Sequence, residues 1–173
     1  MPHINIEIKA KCENPDSIRE FLRSNDADSR GLDHQIDTYF KVANGRLKLR
    51  EGDIENFLIY YERPDQEGPK QADVILFKTE SRSPLKEMLS RSLGELVTVD
   101  KKREIYFLDN VKFHIDTVEG LGAFMEIEAI DYGGTLGKEK LLEQCQDYLR
   151  ELNIPKDDLI SMSYSDLLLA KKD

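Results

Sequence analysis

Two short runs place ionisable or amide side chains at every second position. They are Asn5-Ile6-Glu7-Ile8-Lys9 near the start and Phe124-Met125-Glu126-Ile127-Glu128 late in the chain. A β-strand throws alternate side chains to opposite faces, so each run carries one charged and one apolar face. The same alternation gives Arg46, Lys48 and Arg50 a common face in Gly45-Arg46-Leu47-Lys48-Leu49-Arg50, and Lys101 and Arg103 a common face further on. Grouped carboxylates are hard-oxygen ligands for Mg²⁺ or Mn²⁺, and arginine and lysine clamp phosphoryl oxygens. Brought together, they would suit chemistry on a metal-bound polyphosphate.

On any single strand a water-exposed sheet face explains the alternation, since Lys, Arg, Glu and Asp are seldom buried without partners. The sorting of signs is harder to explain that way. Exposed faces interleave charges, because like charges opposite one another on neighbouring strands are destabilising. Here Glu7, Asp116, Glu126 and Glu128 come from the first, seventh and eighth strand candidates, whereas Arg46, Lys48, Arg50, Arg63, Lys78, Lys101 and Arg103 come from the middle ones. If the sheet closes with its first strand near its last, one interior wall is acidic and the other basic. The Leu and Ile faces must then point outward, under helices.

The elements available to position these residues are strand-like alternations at 3–11, 36–42, 45–51, 56–63, 73–79, 96–107, 111–118 and 123–130. Asn44-Gly45, Glu51-Gly52-Asp53 and Asp109-Asn110 supply turns between neighbours, and short links favour antiparallel hairpins. Asn14-Pro15 and Ser83-Pro84 are read as an N-cap and first-turn proline for helices over 16–23 and 85–93. A third helix is expected over 137–152 and a short apolar one over 164–170, while 64–70 reads as a loop. With no repeat or linker, residues 1–173 form a single domain. The expected fold is α+β: a closed eight-stranded antiparallel β-barrel, a tunnel, with a few flanking helices.

Composition sets limits. Of 173 residues, 39% are apolar, enough for a real core, and 25 basic against 34 acidic side chains give a net charge of −9. That balance repels a nucleic acid at long range, yet a basic cleft can still capture a small anion. No apolar stretch is long enough to cross a bilayer and the start does not read as a signal peptide, so a cytoplasmic location is expected. Cys12 and Cys145 lack metal-ligand spacing and read as ordinary thiols. Gly120-Leu121-Gly122 reads as a hairpin turn rather than a phosphate loop, and Tyr60 and Tyr61 as packing residues. Of the three histidines, His3 and His34 read as surface residues, and His114 shares a face with Asp116.

Taken in order, these segments resemble the CYTH superfamily, the triphosphate tunnel metalloenzymes, and most closely its class IV adenylyl cyclase branch. The resemblance covers nearly the whole chain. The hallmark amino-terminal ExExK strand is matched by Asn5-Ile6-Glu7-Ile8-Lys9, joined by Gln35 to Phe40, Leu47 to Arg50, Tyr61 to Asp65 and Lys101 to Tyr106. The longest match is Ile115 to Glu128. The resemblance implies a tunnel in which Glu7, Asp116, Glu126 and Glu128 face Mg²⁺ or Mn²⁺, while Lys9, Lys48, Arg50, Arg63, Lys78, Lys101 and Arg103 face the triphosphate. Arg46 and His114 are further additions to the site. Glu7, Lys9 and Arg103 would be the catalytic set, converting ATP to cyclic AMP and pyrophosphate. Hydrolysis of thiamine triphosphate, inorganic triphosphate or a nucleoside triphosphate is the alternative, with a non-catalytic triphosphate-binding module as a third reading. The resemblance also allows a homodimer. One position departs from the motif: Asn5 replaces its first acid, keeping an oxygen ligand and losing a charge. Reversing the charge of Arg103 is expected to abolish binding without unfolding the protein.

Overall fold

The computed structural model describes residues 2–172. Its strands are β1 (His3–Lys11), β2 (Asp28–Phe40), β3 (Arg46–Glu51), β4 (Asn56–Glu62), β5 (Lys70–Lys78), β6 (Glu95–Leu108), β7 (Val111–Val118) and β8 (Gly122–Asp131). The helices are α1 (Pro15–Ser24), α2 (Leu85–Leu93), α3 (Lys138–Glu151) and α4 (Tyr164–Lys172). The strands close into a barrel in the order β1-β5-β4-β3-β2-β6-β7-β8, with every neighbouring pair antiparallel. The α+β closed barrel read from the sequence is therefore the fold observed. β1 lies against β8, with Glu7 opposite Glu128 and Lys9 opposite Glu126, and on its other side against β5.

The inversion that a charged interior demands is present. Ile6, Ile8 and Ala10 of β1 and Ile115, Met125 and Ile127 of β7 and β8 pack outward against Ile18 and Leu22 of α1 and Leu141 and Cys145 of α3. Each of the Ile, Leu and Met side chains contributes about 1.5–3 kcal/mol by burial. Leu22 and Leu141 are fully buried, and truncating either to Ala costs about 2–5 kcal/mol. The apolar core thus lies between barrel and helices, leaving the barrel interior to the charged faces. α1 starts as read, with the Asn14 side chain accepting from the Ser17 amide and Pro15 in the first turn. At α2, Pro84 is itself the N-cap, and no α2 residue is buried.

Two strand starts differ from the sequence reading by three residues or more, and the other strand ends by at most two. β2 begins at Asp28 rather than 36, because 28–32 are all exposed and a register shift at Gly31 breaks the alternation. β5 begins at Lys70 rather than 73, since the residue after Pro69 points inward, opposite Glu7. Among the described residues no helix is long and apolar enough to cross a membrane, and both cysteines are buried and free.

Candidate functional site

Inward-facing positions of the strands enclose a cavity of about 300 Å³. On one side Asp37 of β2 is the hub. It sits opposite Arg50 in the β2–β3 register and accepts two hydrogen bonds from that guanidinium, each 2.9 Å. Lys101 Nζ approaches the same carboxylate to 2.6 Å and Lys48 Nζ to 3.2 Å. Burial pushes the Asp37 carboxyl up, but Arg50, Lys101 and Lys48 overcome it and hold it well below the usual carboxylate range. Asp37 is 0% exposed and stands behind the cations, which themselves line the cavity. Three cations converge on one anion, so this wall is short of negative charge.

Arg103 repeats the device. Its Nε and Nη2 bond the two oxygens of Asp116 at 2.8 and 2.7 Å, and Tyr164 donates its hydroxyl to the same carboxylate at 2.7 Å. Glu126 stands 3.4 Å from Arg103, 3.8 Å from Lys9 Nζ and 3.2 Å from His114 Nδ1. Burial raises the Glu126 carboxyl, yet Arg103 and the His114 hydrogen bond keep it well below its ordinary value. Burial and Arg103 pull His114 down to about 4, so its imidazole is neutral near pH 7. Ligand atoms of His114, Asp116 and Glu126 lie within 4.8 Å of one another. Both Asp116 oxygens, however, are already bonded to Arg103 and Tyr164 and the residue does not line the cavity, so its evident role is to orient Arg103. Asp116 nonetheless belongs, with His114 and Glu126, to the cluster whose ligand atoms could hold a metal ion, the role expected of it from sequence.

The opposite wall has the reverse imbalance. Glu7 and Glu128 are direct cross-strand neighbours. Arg63 donates to Glu7 at 2.7 Å, and Glu128 accepts from the Asn5 amide. Burial pushes the Glu128 carboxyl up to about 7, with Glu7 and Glu126 adding to the shift against the pull of Lys112. The Oδ1 of Asn5, a residue only 3% exposed, has no hydrogen-bond partner. A buried acceptor without a donor beside crowded carboxylates has the donor chemistry to hold a cation.

Several lining residues were not singled out from sequence. Glu55 sits in the β3–β4 turn, yet reaches Lys112, Arg50 and Gln35. The Asp33 carboxylate fixes that turn by accepting from the amides of Asp53, Ile54 and Glu55. A Cβ on Gly52 would stand 2.7 Å from the Glu55 carbonyl oxygen and 2.8 Å from that carboxylate, so the turn requires glycine there. Tyr61, read as a packing residue, lines the cavity with Tyr39, whose hydroxyl accepts from Lys48 at 3.2 Å. Lys70 is buried and bonds the Ser161 carbonyl at 2.7 Å. Of the expected phosphate ligands, Lys9, Lys48, Arg50, Arg63, Lys101 and Arg103 line the cavity. Lys78 shares their inward register but is exposed, opposite Phe57 at the end of β5, and does not line it. Arg46 is spent on the tail, at Ser163 and Asp166.

The sequence matches the CYTH domain family over residues 3–164. The chain belongs to the CYTH family. A Methanocaldococcus jannaschii protein bearing the name "Putative adenylate cyclase MJ0240" is 30% identical across 95% of this CYTH chain and 98% of its own length. The solved structure of the PH1012 protein of Pyrococcus horikoshii superposes with a TM-score of 0.78 at 25% identity, covering 94% of this chain and 98% of that one. The Hippeastrum protein HpAC1, described with a dominant triphosphatase activity, shares the fold at a TM-score of 0.58 and 15% identity, over 98% of this chain and 95% of its own. The CYTH family implies a divalent metal, and the residues present fit one. Asn5 Oδ1, Glu7 and Glu128 are hard oxygen donors, one of them buried without a partner.

Proposed function

We propose that this CYTH chain is a metal-dependent enzyme that converts ATP to cyclic AMP and pyrophosphate in its tunnel. The observation that carries the reading is the pair of opposite charge imbalances across one cavity: cations converging on Asp37, and Glu7 and Glu128 crowded beside the orphaned Asn5 Oδ1. A triphosphate with its divalent cation corrects both. Lys48, Arg50 and Lys101 would bind phosphoryl oxygens from one side, and Lys9, Arg63 and Arg103 from the other. Arg103 is preorganised for this by its two bonds to Asp116, so little reorganisation is required when charge develops on the phosphoryl oxygens.

In the cyclase reaction the ribose 3′-hydroxyl oxygen forms a bond to the α-phosphorus as its proton passes to water, the bond from that phosphorus to the bridging oxygen breaks, and pyrophosphate departs. Arg103 and Lys101 would stabilise the leaving charge. Mg²⁺ or Mn²⁺ on Glu7, Glu128 and Asn5, with Glu126 nearby, would supply Lewis-acid stabilisation of the phosphoryl oxygens. The name of the Methanocaldococcus relative supports this choice of reaction.

A second reading is hydrolysis, in which water takes the place of the ribose oxygen. The triphosphatase activity described for HpAC1 favours it, whereas Asn5, which leaves the metal wall one carboxylate short of the family motif, favours a non-catalytic binding module. Chromatography of products after incubation with ATP and Mg²⁺ or Mn²⁺ separates the readings. Cyclic AMP with pyrophosphate supports the cyclase, orthophosphate release supports the hydrolase, and bound but unchanged ATP overturns both in favour of a binding module.

A further inference from the structure

The carboxy-terminal segment closes one end of the barrel. Leu159 bridges to Ala10, and the Ile160 amide bonds the Lys9 carbonyl at 2.9 Å. The carbonyls of Ser161 and Met162 then accept from Lys70 and Lys9 at 2.7 and 3.3 Å. Arg46 clasps Ser163 at 2.9 Å and Asp166 at 2.7 Å. The Tyr164 ring lies 4.1 Å from Lys9 Nζ, at the floor of the cavity, with its hydroxyl bonded to Asp116. Ser163, Tyr164 and Ser165 are all buried. The other end is open and apolar: Tyr132 is 63% and Leu76 36% exposed, with Phe57 and Phe107 beside them in the lining.

We infer that the tunnel is blind at the tail end, and that it accepts only phosphate chains with a free terminal phosphate, inserted phosphate-first. Chains carrying an organic group at both ends are excluded. This rests on the triphosphate reading above and adds a selection rule to it. The charge distribution agrees with the shape. A terminal phosphate carries about −1.5 to −2 charges at pH 7, more than an internal one. Lys9, beside the Tyr164 ring, and Arg63 line the cavity toward the closed end, next to Glu126 and Glu7, and would meet that extra charge. Esterifying the terminal phosphate removes part of the charge and adds bulk at the end lined by Ser163 and Tyr164. The open, aromatic mouth suits the one organic group that remains.

The test is titration calorimetry on the intact protein with Mn²⁺, comparing tripolyphosphate, ATP, diadenosine triphosphate and long-chain polyphosphate. Tripolyphosphate and ATP are expected to bind, diadenosine triphosphate at least about a hundredfold more weakly than ATP. Long-chain polyphosphate should bind by its ends, at no more than two proteins per chain whatever its length. Diadenosine triphosphate binding as tightly as ATP, or a stoichiometry that grows with polymer length, would overturn the blind end while leaving the triphosphate reading intact. Failure of tripolyphosphate and ATP alike would instead remove the triphosphate reading, and the selection rule with it.

Discussion

The two walls of the tunnel are built from similar residue types and fail to balance in opposite directions. Around Asp37, three cations share one carboxylate at 2.6–3.2 Å, and every one of them is hydrogen-bonded. Around Glu128, two further carboxylates press on a third, and the Asn5 amide that donates to it leaves its own oxygen without a donor. The basic wall is ordered and overcharged, whereas the acidic wall is crowded and underbonded. Desolvating an imperfectly compensated charge costs several kcal/mol, so neither wall is explained as a device for stability. The proposed function gives both walls a common partner, a metal-bound triphosphate.

Disturbing the comparison at its strongest bond should have the largest effect. Arg103 is the partner of buried Asp116 and touches Glu126, so Arg103→Glu places three carboxylates together with only Lys9, 3.8 Å from Glu126, beside them. The geometry replaces the expectation from sequence that this change spares the fold. A loss of about 3–5 kcal/mol is expected in urea unfolding, and an unchanged midpoint would contradict the ion-pair role. Asp37→Asn is next, at about 3 kcal/mol, because Arg50, Lys101 and Lys48 lose their shared counter-ion.

Asp37 also makes a statement about pH. Its folded value lies below its unfolded one, so its stabilisation is complete above the unfolded value of about 4 and fades as pH falls below it. Urea midpoints across acidic pH should therefore fall more steeply in the native chain than in Asp37→Asn. Equal slopes would show that Asp37 is not held ionised.

How much of this was legible depended on whether a residue's partner announced itself locally. Alternation in 45–51 and 111–118, with Asp109 at φ 53 in the turn between β6 and β7, sufficed for the hairpins and the charged faces. The closed barrel followed from the signs those faces carry. Glu55 was not visible as a tunnel residue, because its turn is held by Asp33, 20 or more residues earlier. Asp37 lay in a recognised segment but had no evident role until its cations were seen to converge. Lys70 looked like loop beside Pro69, and the tail's contacts with Lys9 and Arg46 span more than 110 residues, beyond any periodic signal.

Smaller changes sharpen the acidic side. Asn5→Glu restores the carboxylate of the motif and should tighten Mn²⁺ binding about tenfold, or ~1.4 kcal/mol. It should also raise turnover and lower the stability of the metal-free protein, as a further carboxylate joins Glu7 and Glu128. Mn²⁺ affinity unchanged in calorimetry would show that Asn5 does not face the metal. Least is expected of Lys78→Ala, since that side chain is exposed and outside the cavity lining. Stability should stay within about 0.5 kcal/mol, and a large loss of tripolyphosphate binding would bring Lys78 into the site.

The most direct measurement is the affinity for tripolyphosphate with and without Mn²⁺, and for Mn²⁺ with and without tripolyphosphate. If the two walls are complementary halves of one site, one tripolyphosphate binds per chain, each ligand tightens the other, and the two enhancement factors are equal. Absence of binding by either ligand, or binding of both without mutual effect, would contradict that account.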